Sequence, residues 1–94
     1  MAVVIDQTFT GMPLAQYDAS MTEAGMAGAT IDKLPGARAH YAWESDGNLR
    51  VLDVWDSQDA SADYMSKVMM PAAKRLGIEV QPDIKISPLH NSIP

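Results

Sequence analysis

Residues 37–55 read ARAHYAWESDGNLRVLDVW. Apolar and polar side chains alternate through 37–44 and again through 49–55, the period of two expected of half-buried strands. Between them stands Ser45-Asp46-Gly47-Asn48. Asp-Gly supplies the two positive φ angles of a type I′ turn, so the stretch is predicted to be a hairpin. If the loop is Asp46-Gly47 alone, His40 lies opposite Asp53, Arg38 opposite Trp55, Ala42 opposite Val51 and Tyr41 opposite Leu52. One face then carries Arg38, His40, Asp53 and Trp55, and the other Tyr41, Trp43, Leu52 and Val54. A three-residue loop would shift the pairing by one and separate His40 from Asp53.

Upstream, residues 2–9 (AVVIDQTF) form a further strand, with Val3, Ile5 and Phe9 on one face. Gly11-Met12-Pro13 breaks it, and Pro13 suits the start of a helix. Leu14, Tyr17, Met21 and Ala24 make one helical stripe, which Gly25 and Gly28 end. Residues 29–36 read as loop, closing on Leu34-Pro35-Gly36. Downstream of the hairpin, Asp56 or Ser57 caps a second helix, with Asp59 in its first turn. Tyr64, Met65, Val68, Met69, Ala72 and Leu76 form its apolar stripe, and Pro71 must kink or split it. Gly77 stops the helix. Residues 83–90 (DIKISPLH) alternate as a last strand, with Pro88 implying an edge or a bulge. The order is β-α-β-β-α-β. Right-handed crossovers make this an α+β, ferredoxin-like domain over residues 1–94, a four-stranded antiparallel sheet with both helices on one face. The uncovered face would expose an apolar patch, which two chains can hide by packing sheet on sheet into a homodimer.

Composition narrows the function. The chain has 94 residues, 7 Lys+Arg against 12 Asp+Glu, a formal charge of −5 and no Cys. That excludes a disulfide scaffold, a thiol nucleophile and Cys-ligated metal. The acidic balance argues against nucleic acid and anionic membranes. The apolar run after Met1 is four residues long and has no basic segment before it. It does not read as a signal peptide, and the default location is the cytoplasm. Two His with no ligand spacing make no metal site. There is no phosphate-cradling glycine loop and no nucleophile elbow.

The chemistry the residues can carry centres on the predicted His40–Asp53 pair. A carboxylate beside an imidazole fixes its tautomer and favours proton uptake, so His40 is a candidate general base with Asp53 orienting it. Trp55 could stack on a flat ring, and Arg38 could stabilise a phenolate or enolate. Tyr41 and Trp43 are further substrate-contact candidates, with core or dimer packing as the alternative. His90, near the end of the last strand, could reach the same pocket. Asp6, in an apolar strand, marks a strand end or a pocket floor. A satisfied polar pair with no catalytic duty is the other reading of His40–Asp53.

The stretch from Pro35 to Asn91 resembles the dimeric α/β-barrel superfamily, above all its small members related to antibiotic-biosynthesis monooxygenases. The similar features are Gly36 with His40 four residues on, the Gly-containing hairpin and the run from Arg50 to Ser57 entering a helix. The Pro71-Ala72 break and the terminal Leu89-His90-Asn91 complete the pattern. The resemblance implies a ligand site between sheet and helices or in a cleft beside them. Its activities include cofactor-free oxygenation of polycyclic phenols, polyketide cyclisation, lactone isomerisation and haem degradation. Haem-degrading members have a His on the second helix and an Asn on the first strand. Residues 58–76 here contain no His, and the first strand offers Asp6 and Gln7, so haem is not implied. Oxygenase members often place an Asn, a Trp and an Arg around the substrate. Trp43, Trp55, Arg38 and Arg50 are available, but the only Asn residues are Asn48 and Asn91. The expectation is a small enzyme acting on an aromatic or polyketide-like molecule by proton abstraction, foremost a monooxygenase needing no cofactor. A cyclase or isomerase on the same scaffold and a non-catalytic binding or dimerisation module are the alternatives.

Overall fold

In the computed structural model, which describes residues 1–93, the chain forms β1 (Val3–Phe9), α1 (Leu14–Glu23), β2 (Ala37–Ser45), β3 (Asn48–Trp55), α2 (Gln58–Tyr64), α3 (Met70–Arg75) and β4 (Asp83–Pro88). A 3₁₀ turn spans Ile31–Lys33, and a π-helical stretch, Met65–Met69, joins α2 to α3. The strands pair antiparallel in the order β2-β3-β1-β4. This is the ferredoxin-like α+β arrangement read from the sequence. Pro88 lies on an edge strand, where the N–H it lacks costs no ladder bond.

The hairpin turn behaves as its dipeptide dictates. Asp46 takes φ 53° and Gly47 φ 78°, and Ser45 pairs with Asn48. The register that follows sets His40 opposite Asp53, Tyr41 opposite Leu52 and Ala42 opposite Val51. One expected pair is corrected. Ala37, not Arg38, lies opposite Trp55, because β2 carries an irregularity between Ala37 and Ala39. The reason is steric and electrostatic. Trp55 is 1% exposed, which a small neighbour permits, while the bulge turns Arg38 outward to an ion pair with Asp56 at 2.6 Å.

Ser57 caps α2: the Ala60 N–H donates to its Oγ at 3.1 Å. The α-helix is split as the proline requires, into α2 and α3, but the chain stays helical across the join. The wider turns of Met65–Met69 precede Pro71, so the missing donor falls in the first turn of α3, where a new bonding register begins. Gly36 sits at φ +89°, and a Cβ there would stand 2.8 Å from the Ala60 Cβ. Only glycine lets β2 begin this close under α2.

Two apolar clusters fill the space between sheet and helices. Val3, Ile5, Met26, Leu34, Trp55 and Tyr64 make one. Met12, Leu49 and Val51, flanked by Phe9 and Tyr17, make the other. Among the described residues, the buried polar side chains are Gln7, Ser20, Asp53 and Ser61, and no helix covers the opposite face of the sheet. Tyr41 (60% exposed) and Trp43 (39%) project there. Arg50 lies 5.5 Å over the Trp43 ring and pairs with Asp6 at 2.8 Å. Asp6 therefore marks neither a strand end nor a pocket floor. It stands in mid-strand on the outer face, charged and paired. Among the described residues, no helix is long and apolar enough to cross a membrane.

Candidate active site

The cavity lies between the two clusters and has a volume of about 1040 Å³. Ile5, Phe9, Leu49 and Val51 floor it from the sheet, and Met21, Met65 and Met69 line it from the helices. Ile84 and Ile86, on edge strand β4, border it and remain about half exposed. The alternation of β3 that sends Val51 and Trp55 inward also sends Asp53 inward. At 7% exposure its carboxylate needs partners. It has two. His40 Nδ1–H donates to Oδ1 at 2.5 Å, and Trp55 Nε1–H donates to Oδ2 at 3.3 Å.

That bonding determines the histidine's tautomer. An ionised carboxylate only accepts, so Nδ1 carries the proton and Nε2 holds the lone pair. The lone pair is engaged as well: the Tyr17 hydroxyl donates to Nε2 at 2.7 Å. The two rings lie nearly parallel, 12° apart, with centroids at 6.2 Å. Burial pushes the Tyr17 phenol from 10.0 up to about 12, and the negative charge of Asp53 adds to the effect. Burial first, and then Asp53, also raises Tyr64. The result is an ordered chain, Tyr17 O–H to His40, His40 N–H to Asp53, at the wall of an apolar cavity.

The sequence-predicted residues divide into three groups. His40, Asp53 and Trp55 come together as expected. Trp55, however, is sealed beneath the site against Tyr64, ring centroids 5.7 Å apart, and anchors Asp53 more than it offers a stacking face. Arg38 borders a smaller recess of about 300 Å³ that also touches His40, with its guanidinium held by Asp56. Tyr41 borders that same recess, and neither Tyr41 nor Trp43 lines the large cavity. His90 is exposed beyond β4 and does not line it either. Sequence reasoning missed two cavity-lining residues. Tyr17 belongs to the apolar stripe of the first helix, and a tyrosine on a core-facing stripe brings a hydroxyl that needs a partner. Gln7 was noted only by contrast with haem-degrading proteins, yet an amide at an inward position between Ile5 and Phe9 carries the same signal. Among the described residues, no group of three or more His, Asp or Glu side chains is placed to hold a metal ion.

No protein-family model matches the chain, and no curated protein matches it. Solved structures do. A point variant of SnoaB, a cofactor-independent oxygenase from Streptomyces nogalater, aligns with a TM-score of 0.68 at 18% identity, covering 99% of this chain and 97% of that one. Rv0793 from Mycobacterium tuberculosis aligns with a TM-score of 0.69 at 17% identity, over 99% and 100% of the two chains. A Streptomyces coelicolor monooxygenase from the gene ActVA-Orf6, solved with nanaomycin D, aligns with a TM-score of 0.61 at 16% identity, over 98% and 90%. The chain therefore has the ferredoxin-like fold of these proteins, the fold that its resemblance to small antibiotic-biosynthesis-monooxygenase-like proteins implies.

Proposed function

We propose that the protein oxygenates a flat phenolic or polyketide-like molecule by abstracting a proton from it, with no cofactor. The observation that carries this reading is the hydrogen-bonded chain Tyr17–His40–Asp53 at the wall of a large apolar cavity. An electron-rich phenol or anthrone fits the apolar walls and brings an acidic proton to the one polar corner. Because Tyr17 covers Nε2, the substrate proton passes to the tyrosine oxygen as the tyrosine's own proton passes to His40. The transfers are coupled, since free tyrosinate is disfavoured by burial. The imidazolium that forms faces Asp53, whose charge stabilises it.

The substrate carbanion then gives one electron to dioxygen, and the radical pair combines to a peroxide anion. Protonation and loss of water leave a carbonyl where a CH₂ stood. One oxygen atom enters the product and the other leaves as water with the two hydrogens, so the substrate supplies all the electrons. The likeness in fold to SnoaB, an oxygenase that works without a cofactor, supports this choice. The exposed Tyr41 and Trp43 on the uncovered sheet face support a homodimer packed sheet on sheet.

Oxygen uptake with anthrone separates the readings. Oxygenation consumes one dioxygen per anthraquinone formed. A cyclase, an isomerase or a binding module consumes none, and that result would replace the proposal.

A further inference from the structure

Gln7 sits in the middle of β1 with its side chain 5% exposed. Its Oε1 is buried and has no hydrogen-bond partner. Its neighbours across the sheet are Val51 and Ile84, both apolar and both lining the cavity, as do Ile5 and Phe9 on either side of it along the strand. Buried amides are almost always satisfied, because an unpaired one forfeits its hydration for nothing. Leucine or methionine would fill the same space without that cost.

We infer that Gln7 is a specificity-determining residue, an anchor for a second hydroxyl on the ligand at the end of the cavity away from His40. This rests on the reading of the cavity as a site for flat phenols. The register fixes the spacing. Gln7 pairs with Val51 and His40 with Asp53, two residues apart on β3, with β1 and β2 on its opposite flanks. Strand rise and strand spacing then put roughly 12 Å between the Gln7 and His40 Cα atoms. With both side chains reaching inward, the gap matches a fused-ring system carrying a polar group at each end. A hydroxyl can donate to the amide oxygen or accept from its NH₂, so it satisfies the amide in either orientation. One end of such a ligand meets Tyr17 and His40, and the other meets Gln7. The apolar walls bind the rings, while Gln7 decides which rings are held in the reactive orientation.

The test compares 1,5-dihydroxynaphthalene with 1-naphthol, binding being followed by calorimetry. The wild type is expected to prefer the diol by about tenfold, one well-made hydrogen bond. Gln7→Met should reduce that preference to within about twofold and melt no lower than the wild type. Gln7→Glu, which keeps the acceptor and the length, should keep the preference. Equal binding of both probes by the wild type, or a preference undiminished in Gln7→Met, overturns the assignment of Gln7 alone. So does a Gln7→Met protein that melts well below the wild type, which would mark the amide as a structural part. Failure of the wild type to bind either probe overturns the phenol-site reading, and this inference with it.

Discussion

A carboxylate at 7% exposure in mid-strand organises everything near it. Asp53 takes a proton donor from His40 and another from Trp55, and its charge helps keep Tyr17 and Tyr64 in the phenol form. The Tyr17–His40 bond is the point at which the proposed mechanism is most exposed. If Tyr17 relays the proton, Tyr17→Phe should lower kcat by about 10²-fold or more. If it merely covers Nε2, removing the hydroxyl frees the lone pair and turnover holds or rises. The same residue has a signature at alkaline pH. Its ordinary value is 10.0 and its folded value about 12, so the folded state holds the proton more tightly than the unfolded chain. Stability from this residue is complete below pH 10 and is lost as pH rises toward 12. Thermal melts across that window should fall less steeply in Tyr17→Phe, and its ultraviolet titration should lack the step near 12. His40 and Asp53 could be placed together from the Asp46-Gly47 dipeptide alone, because a two-residue turn admits one register. Tyr17 could not be placed, since its partner comes from a different element and depends on how α1 crosses the sheet.

At the scale of elements, the approach of α2 to the start of β2 closes the end of the sheet where Trp55 is buried. Gly36 permits this approach twice over, by its positive φ and by having no side chain. Gly36→Ala should therefore destabilise the fold by about 2–4 kcal/mol in denaturant unfolding. Adding Ala60→Gly should recover the part due to overlap and leave the part due to φ. Full stability in the single variant would show that the contact yields. The β2 irregularity has the same local origin. It could not be read from alternation, because the pattern of Arg38, His40 and Ala42 is unbroken in the sequence. The bulge becomes necessary only once an indole must be buried opposite that position. Pro71 shows the converse. Its missing donor was legible, but either a kink or a shift to wider turns answers it, and the choice depends on packing.

At the scale of the whole molecule, the sheet separates two kinds of surface. The helix-covered side holds the cavity and its proton-handling corner, and the other side presents Tyr41 and Trp43 to solvent. The pleat made this division predictable, and it also keeps both residues off the wall of the large cavity. Sheet-on-sheet pairing gives them another use. Tyr41→Glu combined with Trp43→Glu should convert a dimer to a monomer in light scattering after size exclusion, since charges on both copies of the face would meet. A wild type that runs as a monomer would remove the dimer from the account. A ligand site between sheet and helices is implied by the resemblance alone, not by the periodicity of any element. The cavity's lining comes from sheet, helices and the segment before β4 together, which only the assembled layers reveal.

The central claim is that His40 is the base that drives loss of the substrate's proton, taking up the Tyr17 proton as Tyr17 takes the substrate's. Oxygen uptake with anthrone by His40→Ala, beside the wild type and at matched melting temperature, tests it most directly. The account predicts turnover in the wild type and a fall of at least about 10²-fold in the variant, with Asp53→Asn lying between. A folded His40→Ala protein that oxygenates anthrone at the wild-type rate would contradict it.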